Sequence, residues 1–366
     1  MKLVSRLTPH FGLTATLVLF VSIQGDARAS TEIQKELVDV AKNIASVLEQ
    51  KNENRIAVGQ FSGPSRMPSS SGPSIAKALS EELTKLGIMV NKRASLEIKG
   101  DYLAVVSEKN RGPAALLKGR VLDASGNVVY EFEKGFSNDI TVASMFGITV
   151  DLPPDDSPRD RRQKIRESID QPKASIAQSR IATSTSSPYA VEVLVKSGSD
   201  WLPRGATDDE GLAYVPIKPD ETYAVLFHND SPYDAAVTLT IDGLSMFSFS
   251  QNASYRQLGY VIIGAKSTGT IYGWHRTNEV SDSFLVTEYA KSAAAELKQT
   301  SDLGTITCSV SAAWPVDGLA PPDETRRGDN ATGRGPEIAA KYKEIQRVIG
   351  RTRAAISCRY TKPTTP

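Results

Sequence analysis

The sequence predicts an α+β protein: a small N-terminal α/β layer domain followed by an antiparallel β-sandwich domain with a short helix. Three observations predict it. Between Tyr223 and Arg276 apolar residues alternate with small or polar ones (Val237, Leu239, Ile241; Phe247, Phe249; Val261, Ile263), a period of two. Turn signals at Asn229-Asp230-Ser231-Pro232, Asp242-Gly243 and Gly264-Ala265-Lys266-Ser267 break this alternation, as expected of consecutive antiparallel strands with one wet face. Residues 32–90 instead run helix, strand, helix, strand, the order of an α/β layer.

A length of 366 residues fits about two domains. Apolar residues make up 40% and charged residues 23%, enough apolar material to bury a core. The formal net charge of +1 argues against a dedicated nucleic-acid binder, which needs a strong positive footprint. Lys2 and Arg6 precede an apolar run over 11–23, and Ala27-Arg28-Ala29 fits a small-x-small cleavage site. Residues 1–29 therefore read as a signal peptide, with an uncleaved anchor as the alternative, and the expected location is periplasmic or secreted. The later sequence has no apolar run of the length that crosses a bilayer as a helix.

In chain order, Ile33, Leu37, Val40, Ala41, Ile44, Ala45 and Leu48 recur at helical spacing over 32–49, behind the capping candidates Ser30 and Thr31. A strand over 55–61 follows, then a Ser/Gly/Pro-rich loop over 62–72. Pro73 stands at the start of a helix over 74–86 that ends at Gly87. Ile88-Met89-Val90 starts a strand, and two longer strand-rich runs over 95–108 and 114–136 turn at Ser125-Gly126-Asn127. The 62–72 loop fits either an anion cradle before a helix or a plain surface connection, and it carries no phosphate-loop pattern.

Residues 137–188 read as a connector. Within it Ser157 and Pro158 open a short polar helix whose only large apolar residues are Ile165 and Ile169. Its arginines and lysine interleave with carboxylates, the pattern of a solvated charged helix. The run Thr-Ser-Thr-Ser-Ser-Pro over 183–188 reads as a hinge.

The second domain, 189–316, opens with a strand at Tyr189. Asp208-Asp209-Glu210-Gly211 then reads as a hairpin turn, because it lacks the spacing of a loop calcium site. Residues 288–298 read as an Ala-rich helix, and 303–314 as another strand. In the tail, 317–366, the sequence predicts a loop, an amphipathic helix over 337–350 and a final strand returning to pair with the strand of Cys308. Cys308 and Cys358 are the only cysteines. In an exported protein a bridge between them would close a loop of about 50 residues and stabilise by roughly 3–4 kcal/mol; two buried free thiols are the alternative.

Chemistry is sparse. No His-Glu-x-x-His, no Gly-x-Ser-x-Gly and no cysteine-based metal spacing occurs, so no catalytic residue, metal ligand or cofactor is assigned. His228 and His275 lie at strand ends. Trp274-His275-Arg276 is the most distinctive triplet. It fits a recognition patch, since Trp and Arg anchor interfaces, or a core tryptophan with wet neighbours. Arg327-Gly328-Asp329 spells an adhesion tripeptide that recurs by chance.

Two resemblances add to these readings. Ile56-Ala57-Val58-Gly59-Gln60-Phe61, the helix start Gly72-Pro73-Ser74-Ile75-Ala76 and the hairpin over 116–132 resemble the α/β domain of three envelope families. These are the curli-secretion channel, flagellar outer-membrane lipoprotein and Tol-system propeller protein families. The resemblance covers 31–136, and it implies that the 62–72 face meets protein partners. The second rests on Tyr223, Asn229, Asp242-Gly243-Leu244, Gly259-Tyr260-Val261-Ile262, Ile271-Tyr272-Gly273-Trp274, Ser283-Phe284, Val286-Thr287, Tyr289-Ala290 and Gly304-Thr305-Ile306. Over 189–316 these are similar to an exported bacterial domain of many envelope proteins, planctomycete ones included. Together the resemblances imply a fold class and an envelope compartment; with the sparse chemistry, the expected role is non-catalytic binding or scaffolding towards protein or cell-wall polymer partners. An exported hydrolase acting on polysaccharide or peptide is the alternative.

Overall fold

A computed structural model describes residues 18–19, 21–22, 29–64, 67, 71–105, 114–286, 303–324, 329–332 and 342–361. Its class is α+β, as the sequence predicts. Two short strands, β1 (Val18–Leu19) and β2 (Val21–Ser22), come from the apolar run read as a leader. Helix α1 (Ala29–Gln50) begins at the expected cleavage junction. It is followed by β3 (Arg55–Ser62), α2 (Gly72–Lys85), β4 (Met89–Val90), β5 (Glu97–Ala104), β6 (Ala115–Leu122) and β7 (Val128–Phe136). These strands form a five-stranded sheet of order β4-β3-β5-β6-β7, parallel across its first three strands and antiparallel after. The helical spacing read from the sequence is the buried stripe of α1: Ile33, Leu37, Val40, Ala41, Ile44 and Leu48 join the core with Ile75, Leu79 and Leu83 of α2.

The stretch read as a connector departs most from expectation. Helix α3 (Asp139–Phe146) has Ile140 through Phe146 all buried, and after it come β8 (Val150–Asp151) and α4 (Pro158–Asp170). Val142, Met145, Phe146, Ile148, Val150 and Leu152 belong to the same core as α1 and α2, and so do Leu212 and Ala355 from much later in the chain. A polar joint does not hold two units apart here: the joint is buried. Helix α4 does start as predicted, with the Ser157 side chain accepting from Asp160 N–H and a proline in the first turn, and Ile165 and Ile169 are buried. It is not wholly a solvated helix, because Arg161 and Arg166 are buried too. Arg161 donates to Asp139 Oδ2 (Nε 2.8 Å, Nη2 2.5 Å) and to the carbonyls of Leu152, Pro153 and Thr352. That spends its fork on the chain ends it joins.

The remainder is β-rich: β9 (Ser175–Ala177), β10 (Arg180–Ala182), β11 (Tyr189–Ser197), β12 (Asp200–Pro203), β13 (Thr207–Asp209), β14 (Leu212–Tyr214), β15 (Thr222–Asn229), β16 (Asp234–Ile241) and β17 (Leu244–Ser245). Helix α5 (Ala253–Leu258) interrupts before β18 (Val261–Ile263), β19 (Ser267–Ile271), β20 (Gly273–His275) and β21 (Ser281–Leu285). The chain closes with β22 (Leu303–Trp314), β23 (Asp329–Thr332), β24 (Lys343–Glu344) and β25 (Arg347–Thr361). One sheet runs β20-β21-β15-β11-β10-β9, and the larger runs β13-β14-β25-β22-β16-β18-β1-β24. Their facing sides share one core, Val191, Val193, Val225 and Phe227 against Val237, Leu239, Val310 and Ile356. Strands β9 and β10 pair into the same sheet as β11, so residues 183–188 form the loop of an antiparallel pair and not a hinge.

The predicted helix over 337–350 is not formed in its described part: Lys343–Glu344 and Arg347–Thr361 are strands. The tail's β-branched residues Val348 and Ile349 extend the long partner of β22 instead. That pairing was expected; the disulfide is not present. The register sets Cys358 opposite Ile306 and Cys308 opposite Ile356, so the two thiols are diagonal neighbours, and both are free and buried. Diagonal side chains lie about 7–8 Å apart, beyond the reach of a bridge. The predicted helix over 288–298 and the arginine and glycine of the Arg-Gly-Asp word lie outside the described residues.

Candidate functional site

The outer face of the larger sheet explains how the two halves meet. Alternation along β16, β22 and β25 sends Leu239, Cys308 and Ile356 into the sheet-to-sheet core. It sends Thr238, Thr240, Thr305, Thr307, Ser309, Ser311 and Ser357 to the opposite side. The sequence predicts a wet face for the strands of 223–276, and so for Thr238 and Thr240, yet all seven are buried. Helix α3 and the segment behind it meet Thr240, Thr305 and Ser357. Ser144 Oγ lies 3.0 Å from Thr240 Oγ1, Ser357 Oγ donates to Ile148 O (2.9 Å), and Thr149 Oγ1 accepts from Ser357 N–H (3.0 Å). Strand β8 adds itself to the edge of β25. Small hydroxyl side chains let a helix backbone approach closely, and they satisfy the polar groups it buries. Burial lowers the Arg359 guanidinium to about 10, and its Nη2 donates to Phe146 O (3.0 Å) at the end of α3.

A cleft of about 450 Å³ opens where this joint reaches the surface. One wall is the flank of α2, with Ser74, Lys77, Glu81 and Lys85 at helical spacing. The other is the β16–β17 hairpin and α5, with Thr240, Leu244, Ser245, Ser248 and Arg256; Ser144 lies at its base. The hairpin turn is Asp242-Gly243, both at positive φ (54° and 73°), the two-residue turn its sequence signals. Asp242 is fixed by Thr305 N–H (3.0 Å) and by Tyr360 Oη (3.3 Å). Gly243 presses on the start of α2: a Cβ there would stand 2.7 Å from Ser71 Cα and 2.8 Å from Ser74 Oγ. Ser71 in turn donates to Ser144 O (2.7 Å), so three distant segments set the width of the cleft.

The cleft mixes polar walls with Ile33, Ala78, Leu244 and Ala253, and its charged side chains have partners within the chain. Lys77 pairs with Glu81, Lys85 Nζ lies 2.5 Å from Glu82 Oε1, and Arg256 Nη1 donates to Ser250 O (2.5 Å). Ser74 and Lys77 stand at the Ser-x-x-Lys spacing by which a lysine can assist an acyl-transfer serine. Here the Lys77 ammonium is turned to Glu81, and Ser74 Oγ donates to Ser71 O (2.8 Å), so the two side chains serve different partners. Sequence reading missed this site because α2 was read only as a helix, Phe247 and Phe249 as strand alternation, and 251–257 as a polar break between strands.

The predicted triplet lies elsewhere. His275 is fully buried on β20 among Phe247, Tyr255 and Tyr342, with ring centroids 5.2–5.3 Å away. Trp274 packs edge-on to Phe249 and Phe284, half-buried against the sheet core, while Arg276 pairs with Asp282 at 2.8 Å. Asn278 Oδ1 faces His275 Nε2 at 3.4 Å and can only accept, which leaves Nδ1 to accept from the Ser250 hydroxyl at 3.1 Å. Burial lowers the imidazole to about 4, so it is neutral at neutral pH. A serine, a histidine and an orienting side chain are thus in line. Ser250 is only 2% exposed, however, and it does not line the neighbouring 300 Å³ cleft of Asn252, Arg276 and Glu279. His228, the other histidine, bonds Glu192 Oε1 at 2.8 Å. Asp208-Asp209-Glu210-Gly211 is a hairpin turn between β13 and β14. Among the described residues no group of three His, Cys, Asp or Glu is placed to hold a metal ion.

No protein-family model matches the chain, and no curated protein matches it.

Proposed function

We propose that the chain is an exported envelope protein that binds or scaffolds a partner and does not transform it. Its binding surface is the cleft between α2 and the β16–β17 hairpin. The observation that carries this reading is the make-up of the cleft walls: hydroxyls, two lysines, an arginine and a glutamate beside the apolar Ile33, Ala78, Leu244 and Ala253, with Lys77 committed to Glu81. Such a surface recognises a polar, carboxylate-bearing segment of an envelope protein or cell-wall polymer through charge-assisted hydrogen bonds. The leader-like residues 1–29 and the resemblance to exported envelope domains support the compartment.

The test is mild cross-linking in envelope extract followed by capture, comparing the parent with a Lys77→Glu, Arg256→Glu variant. A partner recovered by the parent and lost in the variant supports the reading. Equal recovery by both, or turnover of a wall polymer that survives the double substitution, contradicts it.

A further inference from the structure

We propose that the end of the N-terminal unit formed by the C terminus of α2 and strand β4 docks on an anionic lipid surface. Leu86, Met89 and Val90 are 44%, 52% and 37% exposed, three apolar side chains within five residues. They stand on the cap of α2 and on a two-residue strand at the open edge of the five-stranded sheet. Cations surround them. Lys85 precedes the turn and Lys92 and Arg93 follow the strand; Arg55 lies opposite Met89 in the β3–β4 register, and Lys51 is on the adjoining loop. All five are exposed. Backbone hydrogen bonds from Met89 to Asn54 and from Asn91 to Ile56 tie the two stretches into one surface. Glu82 meets Lys85, Glu49 and Glu53 flank Lys51, and Asp123 interacts with Lys51, so the positive excess of the rim rests on Arg55, Lys92 and Arg93.

Charge selects the occupant. A second copy docking through the same patch would set this positive excess of Arg55, Lys92 and Arg93 against its own copy. A two-residue edge is also too short to template a shared sheet. A protein interface is anchored by aromatic or arginine side chains seated in pockets, and this patch presents three aliphatic or thioether side chains on a turn and an edge. Protruding aliphatic groups ringed by Lys and Arg are what a headgroup layer accepts: the apolar tips enter the acyl boundary while the cations meet phosphates. The inference stands apart from the cleft reading, since of these residues only Lys85 also lines the cleft.

Co-sedimentation of the full chain with vesicles of phosphatidylcholine, alone or containing phosphatidylglycerol, tests it. The parent should sediment with the anionic vesicles and be released by added salt. Lys92→Glu with Arg93→Glu should weaken binding at least ten-fold, and Leu86→Ser with Met89→Ser at least five-fold. Thermal unfolding should be unchanged in both, because these side chains are exposed. The N-terminal apolar run is common to all the chains, so the differences report the patch. No sedimentation, equal binding to neutral vesicles, or equal binding by parent and variants overturns the proposal. So does capture of an acidic protein through the same four residues without vesicles.

Discussion

The Ser144 hydroxyl meets Thr240 Oγ1 at 3.0 Å in a buried contact between residues 96 positions apart in the chain. It joins the helix of the presumed connector to the central strand of the larger sheet. Thr240→Val keeps the shape and leaves the Ser144 hydroxyl without that partner, which costs about 1–3 kcal/mol. Removing both groups, as Ser144→Ala with Thr240→Val, should restore part of the loss. Chemical denaturation of the two singles and the double measures the coupling, and strictly additive losses would count against the contact.

Gly147 ends α3 at φ +59°, and a Cβ there would stand 2.5 Å from Thr305 Cγ2. Gly147→Ala therefore meets both a left-handed backbone and the face of β22. The expected cost is about 2 kcal/mol or more, read as a lower denaturation midpoint with the slope unchanged. Thr305→Ser in the same chain removes the clashing methyl and should recover part of it.

What was legible in the sequence was local. The stripe of α1, the Ser157-Pro158 start of α4 and the Asp242-Gly243 turn each carry their signal within a few residues. Helix α3 carries none: Ile140 through Phe146 are buried on every side, Thr141 and Ser144 included, so no exposed polar face marks a period. Thr238 and Thr240 of β16 were read as facing water because the alternation is the same whether water or a helix covers them. The tail misled in the opposite direction, since Tyr342, Ile345 and Ile349 fit helical spacing although the first two flank β24 and the third lies in β25. The cleft needs α2 beside a hairpin some 160 residues later, a closeness no single stretch encodes.

His275 is neutral when folded, at about 4, against about 6.5 in the unfolded chain. Between those values the unfolded state binds a proton that the folded state does not, so stability falls as pH drops from 6.5 towards 4 and is whole above 6.5. The depression is worth about 3 kcal/mol at full development. Melting curves of the parent and His275→Gln across pH 7 to 4 should converge at the acid end, the parent losing more. Parallel curves would mean that the ring is not the proton site.

Cys308 and Cys358 should both be counted as free thiols after denaturation without reductant. In the folded protein they should react slowly: burial raises both, Cys358 to about 12, and the thiolate is the reactive form. A chain in which neither thiol is titratable after denaturation would place a bridge where the register of β22 and β25 leaves none.

Hydrogen exchange over residues 139–152 tests the central claim, that a buried segment welds the two halves through a serine- and threonine-lined face. The account predicts protection there equal to that of β22 and β25. Rapid exchange across 139–152, with the two halves protected on either side, would contradict it.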